Sequence, residues 1–354
     1  MDQAAERFCL RQRPDVRASL PPTPMPRPRI PLFLLVLATG LALVSAGCRG
    51  RDSGRVIKLA HGLDVTHSVH RGMVRLGELL TAKSGGRLRV EIYANGQLGS
   101  ERECLELVQL GGLGMTKVSS SVLEGFAPEF KVFGLPYLFR DAAHRQAVFD
   151  GPIGREILTA PERKFLRGVC YYDAGSRSFY TKTAVRTPAD LRGLKIRVQE
   201  SPMAFALIRA FGASATPIAF GELYTALQQG VVDGAENNPP SFHLARHYEV
   251  CRFYTLNEHT SVPDVLVVGT DLWNRLTAEE RRWLQEAAEE SAVYQRGLWA
   301  ESEAASLAAV QAAGVEVIRP DRTAFYTAAA ALRESVRDDP VIGPLARRIG
   351  EVRP

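Results

Sequence analysis

The sequence predicts an α/β protein built from two lobes, and three observations support that prediction. Strand-like and helix-like segments alternate from about residue 55 onward, which favours an α/β architecture with largely parallel sheets. About 307 residues run from Cys48 to the end of the chain, enough for two domains with ordinary cores. One helical segment, from Thr277 to about Ala313, would be roughly 50 Å long at 1.5 Å per residue, so it could run along both lobes.

The first half of the chain alternates strand and helix. Val56–His61 is short and apolar, as expected for a buried strand. Thr66 is a suitable helix N-cap, and apolar side chains then recur at helical spacing until Ser84-Gly85-Gly86 stops the helix. Leu88–Tyr93 alternates as a strand, and Ser100 is positioned to cap a second helix.

The second half continues this alternation. Thr277 and Glu280 have the spacing of a capping box at the start of the long helix. Pro188–Leu191 predicts a turn into the strand that follows. The other expected strands are Val169–Tyr172, Ser178–Tyr180, Lys195–Val198, Val262–Gly269 and Val315–Ile318, and the other expected helices are Met203–Phe211, Gly221–Gln229 and Phe325–Val336.

Residues 1–47 have the features of an export signal and not of a folded domain. Arg27 and Arg29 precede an apolar stretch over residues 31–44, and small residues lead from there to Cys48. The stretch is too short and too isolated for a convincing permanent membrane-spanning helix. We therefore expect the mature chain to be extracytoplasmic, in the periplasm.

Cys48 follows Ser45-Ala46-Gly47 in a pattern that resembles a bacterial lipobox. We expect Cys48 to carry a lipid, residues 48–54 to form a lipid-anchored linker, and the protein to be tethered to a bacterial membrane. Cleavage nearby without lipidation would instead give a soluble periplasmic protein. Translation from Met25 would give a better-proportioned signal peptide, so the true start of the chain is a second open point.

Charge and motif content argue against several classes of protein. The chain has 44 Lys and Arg against 39 Asp and Glu, and residues 1–47 hold six Arg and three acids, which leaves 38 against 36 beyond them. A nearly neutral mature chain without a basic run is not expected to bind nucleic acid. The sequence has no nucleophile motif, phosphate loop or dinucleotide fingerprint, so we expect neither catalytic residues nor a cofactor.

Metal ligands and disulfides are not expected either. His67 and His70 have helical spacing and lie near His61 in the sequence, but a metal site needs three or four ligands in suitable positions. The three cysteines after Cys48 have no CxxC spacing, which is typical of buried free thiols. One pair of them could still form a bridge.

Arg197 is the most informative residue in the sequence. It lies within Lys195–Val198, an apolar strand-like run, and removing an arginine from water is costly unless an anion accompanies it. Its planar guanidinium can hold a carboxylate through two parallel hydrogen bonds. We therefore expect a ligand carboxylate at Arg197, with an ion pair between the lobes as the alternative.

Four segments, in order and at matching separations, resemble the solute-binding subunits of TRAP transporters, the DctP-like family. They are Asn95–Gly99, Gly134–Tyr137, Thr187–Val198 and Gly230–Asn237. The resemblance extends almost end to end over the mature chain. It implies a two-lobed fold like that of periplasmic binding proteins, with a long helix spanning both lobes, a first lobe of 51–174 plus 263–302 and a second lobe of 175–262 plus 303–354.

The resemblance also implies roles for residues in a ligand site between the lobes. Arg197 matches the family's carboxylate-binding arginine, Asn237 its ligand-contacting asparagine, and Phe220 an aromatic side chain that lines the site. Arg177 matches a second arginine near the ligand, with a structural role as the alternative. Further candidate contacts, for which capping, turn formation and packing are the alternatives, are His61, Asn238, Glu222 and Tyr224.

The implied function is capture of an organic acid and its delivery to separate membrane partners, the small and large permease subunits. Ser119 and Val122 replace charged residues of the sialic-acid branch, so that substrate is not expected. A sugar acid such as a hexuronate is favoured over a C4-dicarboxylate, which would use Arg197 and Arg177 together. A sensory protein that presents the ligand to a receptor is the alternative function.

Overall fold

Two β-sheets with helices on their faces organise residues 54–353, the part of the chain that the computed structural model describes. These residues belong to one compact unit. The signal peptide, the Met25 start and the lipid-bearing Cys48 lie outside the described residues, as does all but the last residue of the 48–54 linker. None of the helices within 54–353 is long and apolar enough to cross a membrane.

Strands and helices alternate as predicted, although they are more numerous than the sequence pattern indicated. The strands are β1 (Arg55–Ala60), β2 (Leu88–Tyr93), β3 (Met115–Ser119), β4 (Leu166–Tyr172), β5 (Arg177–Thr181), β6 (Lys195–Val198), β7 (Ser214–Pro217), β8 (Gly234–Asn237), β9 (Phe253–Thr260), β10 (Asp264–Gly269) and β11 (Glu316–Ile318). The helices are α1 (Ser68–Lys83), α2 (Glu101–Gln109), α3 (Ser120–Leu123), α4 (Ala142–Asp150), α5 (Pro152–Thr159), α6 (Pro202–Ala210), α7 (Leu223–Gln228), α8 (Pro239–Leu244), α9 (Thr270–Arg275), α10 (Ala278–Ala312), α11 (Arg322–Ala328), α12 (Ala330–Ser335) and α13 (Ile342–Glu351). Short 3-10 turns occupy Pro128–Gly134, Ala160–Lys164, Pro188–Leu191, Phe220–Glu222 and His247–Glu249.

Each sheet mixes parallel and antiparallel pairs, where largely parallel sheets were expected. The first sheet has the order β2-β1-β3-β10-β4, and β10 is antiparallel to both of its neighbours. The second has the order β11-β9-β5-β8-β6-β7, and β5 is antiparallel to both of its neighbours. β5 and β10 are the strands that follow a crossing between the sheets, so they enter their sheets from the shared cleft and run against the other strands.

The central strands β3, β5, β8 and β10 are buried on both faces, which is how sheets covered by helices pack. The first sheet, which we call the first lobe together with its helices, has one apolar cluster around Phe133 and another around Leu76. The second sheet and its helices form the second lobe, with clusters around Phe211 and Leu227. These cores hold the ends of both sheets in fixed positions around the cleft.

The long helix α10 packs against both lobes, as predicted. Its Leu284 and Trp299 lie in a first-lobe cluster, whereas Val310 lies in a second-lobe cluster. Gln295 Nε2 donates to the Asp173 carbonyl at 2.8 Å, and Gln295 Oε1 accepts from the Asp173 amide at 2.8 Å. The helix therefore also fixes the segment that leads from β4 to β5.

Two short crossings, residues 173–176 and 261–263, join the lobes. They lie side by side, because Ser176 Oγ and Ser261 Oγ are 3.1 Å apart and share a hydrogen bond. Gly175 has a φ of +59°, and a Cβ at this position would lie 2.9 Å from Trp299 Nε1. Only glycine fits this close approach to α10 without strain.

The C-terminal helix α13 packs on a different lobe from the one expected. Residues 303–354 were expected in the second lobe, but Ile342, Leu345 and Ile349 of α13 pack into a first-lobe cluster. The Ile349 carbonyl also lies 2.8 Å from His144 Nε2 of α4. The apolar stripe of α13 needs a core to cover it, and the first lobe supplies that core. The other lobe boundaries stay predictions.

Helix starts follow local capping. Ser100 caps α2 and Thr277 forms a capping box at α10, as the sequence predicted, and Ser100 forms a capping box as well. Helix α1 begins one residue later than expected: His67, and not Thr66, is the N-cap, with Nδ1 accepting from the Val69 amide at 3.2 Å. Thr66 instead donates its hydroxyl to Asp64 Oδ1 at 2.6 Å.

Candidate functional site

A cavity of ≈ 340 Å³ lies between the lobes, where strands of both sheets end. Such an edge is where α/β sheets bind ligands, and this volume is at the lower end of the range for small-molecule sites. The ends of β3, β6 and β8 and the starts of β5 and β10 contribute lining residues. They include Lys117, Ser119, Arg177, Arg197, Gln199, Asn237, Asn238 and Asp264.

Arg197 lies on β6 and is 2% exposed. Its Nε donates to the Ile218 carbonyl at 2.8 Å, but its Nη1 has no hydrogen-bond partner among the described residues. Burial lowers the pKa of Arg197 from its ordinary value, and Tyr180 and Glu236 only partly offset this effect. A buried cation with a free donor is costly alone, so the cavity is suited to an anion at this position.

Arg177 has a different environment, although it also lines the cavity. Its guanidinium donates to both carboxylate oxygens and the backbone carbonyl of Glu236, and Nη1 donates to Asn237 Oδ1 at 3.0 Å. Burial alone would lower the pKa of Arg177, but the Glu236 carboxylate outweighs it and raises that pKa. Burial would raise the pKa of Glu236, yet Arg177 and His259 bring it down to about 2. Arg177 thus belongs to a buried ion pair, and a ligand contact by it stays a prediction.

The two asparagines after β8 are partly used by the protein itself. Asn237 Oδ1 accepts from Arg177 Nη1 and from the Asn238 amide at 2.9 Å. Asn238 Oδ1 caps α8 by accepting from the Ser241 amide at 2.8 Å, and its Nδ2 donates to the Ala174 carbonyl at 3.0 Å. Both residues line the cavity. The side-chain bonds of Asn238 favour the structural role for it.

Phe220, Glu222 and Tyr224 lie at the rim of the cleft. Phe220 is half-buried in the cavity wall, and its ring packs against that of His247 with centroids 5.5 Å apart. Glu222 is exposed at the same wall. Tyr224 lines a neighbouring depression instead, and its hydroxyl donates to Glu249 at 2.8 Å. Of the three, Phe220 and Glu222 can reach a molecule in the main cavity from where they stand.

His61 does not line the cavity, although the sequence made it a candidate contact. Its ring is 1% exposed and faces α1, with Nε2 2.9 Å from His70 Nδ1 and Nδ1 accepting from the Leu63 amide at 3.1 Å. Burial, together with the nearby charge of Lys117, lowers the pKa of His61 to about 2. The following residues, Gly62 and Leu63, line the cavity in its place. The neutral ring of His61 makes its hydrogen bonds within the first lobe.

Several lining residues were missed from the sequence. Lys117 is 1% exposed, and its Nζ lies 2.9 Å from Glu101 Oε1 and 3.1 Å from Asp264 Oδ1. Gln199 Oε1 accepts from Ser119 Oγ at 3.1 Å, which connects the lobes beside the cavity. A signal for Lys117 existed: like Arg197, it is a lone cation inside a strand.

Metal and thiol chemistry find little support in residues 54–353. No group of three or more His, Cys, Asp or Glu in that range could hold a metal ion. The three cysteines there are buried and free, as the sequence predicted. Burial raises the pKa of the Cys104 thiol to about 11, so it is not a reactive thiolate at neutral pH.

The fold and site define a class of protein: a two-lobed α/β binding protein whose cleft holds a buried cation without an acidic partner. The model of the DctP family, described as bacterial extracellular solute-binding protein family 7, matches residues 59–338. The chain therefore belongs to this family, the extracytoplasmic solute-binding proteins of TRAP transporters. This is a family of transport proteins and not of enzymes, and the predicted family and fold are confirmed.

Three similar proteins have known ligands in their names or structures. A TRAP periplasmic solute-binding protein of Bradyrhizobium sp. BTAi1, in complex with α/β-D-galacturonate, is 41% identical, with a TM-score of 0.83 over 84% of this chain and 100% of that chain. One of Roseobacter denitrificans, with bound β-D-glucuronate, is 35% identical, with a TM-score of 0.81 and the same coverage. The C4-dicarboxylate-binding periplasmic protein DctP of Rhodobacter capsulatus is 33% identical over 301 residues, 83% of this chain and 87% of that protein.

Proposed function

We propose that this protein captures a hexuronate such as D-galacturonate or D-glucuronate in the periplasm and delivers it to the membrane subunits of its transporter. The observation that carries the proposal is that Arg197, a buried cation, lines the cavity and has no partner at its Nη1 among the described residues. A ligand carboxylate would accept from this guanidinium and neutralise its buried charge. Phe220 would pack on the carbon face of the sugar, and Asn237 Nδ2 would donate to a ligand oxygen.

The state of Arg177 favours a monocarboxylate over a C4-dicarboxylate. A dicarboxylate was expected to use both arginines, but Glu236 already neutralises Arg177 through several hydrogen bonds. Recruiting Arg177 to a second ligand carboxylate would leave Glu236 buried and unpaired, which is costly. The hexuronates bound by the Bradyrhizobium and Roseobacter proteins agree with this preference.

Two alternatives are considered beside this proposal. The name of the Rhodobacter capsulatus relative favours a C4-dicarboxylate as the second candidate ligand. A sensory protein that presents its ligand to a receptor would have the same cleft, and a receptor instead of permease subunits would bind its surface. Pull-down of the small and large permease subunits in the presence of ligand separates transport from sensing.

The finer parts of the location are also proposals. An extracytoplasmic family agrees with the periplasm, and we propose that Cys48 anchors the chain to a membrane through a lipid. Mass spectrometry of the mature N-terminus tests this directly. A lipid-modified Cys48 supports the anchor, whereas an unmodified terminus at another residue overturns it.

A thermal-shift screen followed by calorimetry tests the ligand. Purified protein is mixed with D-galacturonate, D-glucuronate, succinate and L-malate, and ligand at about 100 times its dissociation constant adds about 2.7 kcal/mol of stability. We expect shifts with the uronates that Arg197→Ala abolishes. The matched control, Arg192→Ala, removes an exposed arginine from the same segment and is expected to keep them. A uronate shift that survives Arg197→Ala would refute the role of Arg197, and a screen without any uronate shift would refute the hexuronate proposal.

A further inference from the structure

The first-lobe wall of the cavity contains a buried ionic cluster that the proposed carboxylate contact does not use. We call Lys117, Glu101 and Asp264 the acidic cluster; all three line the cavity. Lys117 Nζ is 2.9 Å from Glu101 Oε1 and 3.1 Å from Asp264 Oδ1, while Glu101 Oε2 accepts from the Ser119 amide at 3.0 Å. These contacts hold the cluster rigidly, since each member is fixed by another.

The positions of the three residues follow from the sheet. Lys117 on β3 pairs across to Leu266 on β10, so its side chain and that of Asp264, two residues earlier, lie on one face. Glu101 is the first residue of α2, and its carboxylate meets the Lys117 ammonium group at the ends of these strands. Burial would lower the pKa of Lys117, but the two carboxylates outweigh it and raise that pKa, so the lysine stays charged.

The buried charged groups of the two cavity walls therefore differ in sign, whereas Arg102, Glu103, Glu200 and Glu222, which also line the cavity, are exposed. The acidic cluster combines two carboxylates with one ammonium group, so its net charge is negative. On the second-lobe wall, Glu236 neutralises Arg177, while Arg197 has no acidic partner at its Nη1 among the described residues. One wall suits a carboxylate, and the opposite wall repels a second one.

We infer that the acidic cluster selects ligands that carry hydroxyl groups opposite their carboxylate and rejects ligands with a second carboxylate there; this rests on the proposed binding of a hexuronate at Arg197. A hydroxyl can donate to Glu101 or Asp264 and accept from the third proton of Lys117. A ligand carboxylate can only accept, and it would lie against two fixed carboxylates. The cluster thus determines specificity by repulsion as well as by attraction.

A pair of closely related ligands tests the inference. D-Galacturonate and galactarate share one carboxylate and a run of hydroxyl groups, but galactarate has a second carboxylate in place of the aldehyde carbon. Titration calorimetry on the purified protein is expected to give about 100-fold weaker binding of galactarate. Glu101→Gln and Asp264→Asn keep the size of each side chain. Each is expected to reduce the ratio of the two dissociation constants, galactarate over D-galacturonate, by about tenfold.

Glu106→Gln is the matched control. Glu106 is an exposed carboxylate on the same helix and is not among the residues that line the cavity, so its variant is expected to keep the native ratio. If Asp264→Asn fails to fold, Glu101→Gln decides the test, because the Glu101 side chain is 17% exposed and tolerates the change better.

The outcomes separate this inference from the proposed function. The role of the acidic cluster is overturned if both variants leave the affinity ratio of D-galacturonate to galactarate unchanged. It is also overturned if the native protein prefers galactarate. In both cases the Arg197-dependent binding of uronate stands. Native protein that binds neither uronate overturns the proposed function itself, and the inference with it.

Discussion

At the scale of single residues, two buried arginines have opposite roles because of one carboxylate. Arg177 on β5 and Arg197 on β6 lie on either side of β8, which carries Glu236. Glu236 bonds to Arg177 and leaves the Nη1 of Arg197 without a partner. The same side-chain type therefore stabilises the second lobe at one position and is available to a ligand at the other.

This contrast predicts different effects on stability. Arg177→Met leaves Glu236 buried without its partner and is expected to lower the free energy of unfolding by about 3–5 kcal/mol. Arg197→Met removes a buried charge and one hydrogen bond to Ile218, effects that oppose each other, so a change of less than about 1 kcal/mol is expected. Urea unfolding of the ligand-free protein measures both. Equal losses in the two variants would show that Arg197 is structural.

The shape of the guanidinium also predicts a binding effect. Arg197→Lys keeps the positive charge but loses the planar fork that matches a carboxylate, so uronate binding is expected to weaken by about 2 kcal/mol. Calorimetry measures the dissociation constant, and Lys195→Arg, an exposed change on the same strand, is the control. Native affinity in Arg197→Lys would contradict bidentate binding.

The sequence was informative about site residues where a charge interrupts an apolar pattern. Arg197 was identified in this way, and Lys117 shows the same signal in β3 but was missed because that strand was not predicted. His61 could not be excluded from sequence, since only the packing of α1 shows that its ring turns to His70. The pairing of Arg177 with Glu236 likewise depends on the register of β5 and β8, which the sequence does not state.

At the scale of elements, three strands that the sequence pattern missed have titratable side chains at buried positions. These strands are β3, β8 and β9, which contain buried Lys117, Glu236 and His259. A strand with charged side chains at its buried positions lacks the apolar pattern that predicts a strand. The groups that pair with those charges lie elsewhere in the chain. β3, β8 and β9 were accordingly not predicted.

Helix α10 illustrates how one element fixes the crossing between lobes. Gln295 is fully buried and bonds to both the amide and the carbonyl of Asp173. Gln295→Ala leaves both backbone groups without partners and is expected to lower the free energy of unfolding by about 2–4 kcal/mol. Urea unfolding measures it against Gln311→Ala, an exposed position on the same helix. Similar values for the two variants would mean that water replaces the lost bonds.

At the scale of the whole molecule, the three residues after β6 each contact the first lobe. Gln199 accepts from Ser119 Oγ, Glu200 lies 3.6 Å from Arg102, and Ser201 Oγ donates to Glu124 Oε1 at 2.8 Å. Only Val198 separates this segment from Arg197. The residue proposed to bind the ligand and the residues that contact the first lobe therefore lie in one continuous stretch of chain. Such a link between ligand and lobe contact is what hinge closure around a ligand requires.

Glu124 makes this lobe contact sensitive to pH. It is 4% exposed and accepts from Ser201 Oγ and, at 3.2 Å, from the Met203 amide at the start of α6; Lys131 is the neighbouring cation. Burial raises the pKa of Glu124 from its ordinary 4.5 to about 7, which its hydrogen bonds only partly offset. Because the unfolded chain releases this proton near pH 4.5 and the folded chain near pH 7, the contribution of Glu124 to stability is complete below pH 4.5 and is lost as the pH rises through 7.

The variant Glu124→Gln keeps a neutral side chain at all pH values and should remove this dependence. The free energy of unfolding of the native protein, taken relative to Glu124→Gln, is expected to fall by about 3 kcal/mol between pH 4.5 and pH 8. Urea unfolding at steps of half a pH unit measures the difference, and Glu301→Gln, an exposed change on α10, controls for the loss of a negative charge. Parallel profiles for native protein and Glu124→Gln would mean that folding does not change the pKa of Glu124. A falling difference would mean that burial at the lobe contact keeps Glu124 protonated in the folded chain up to about pH 7.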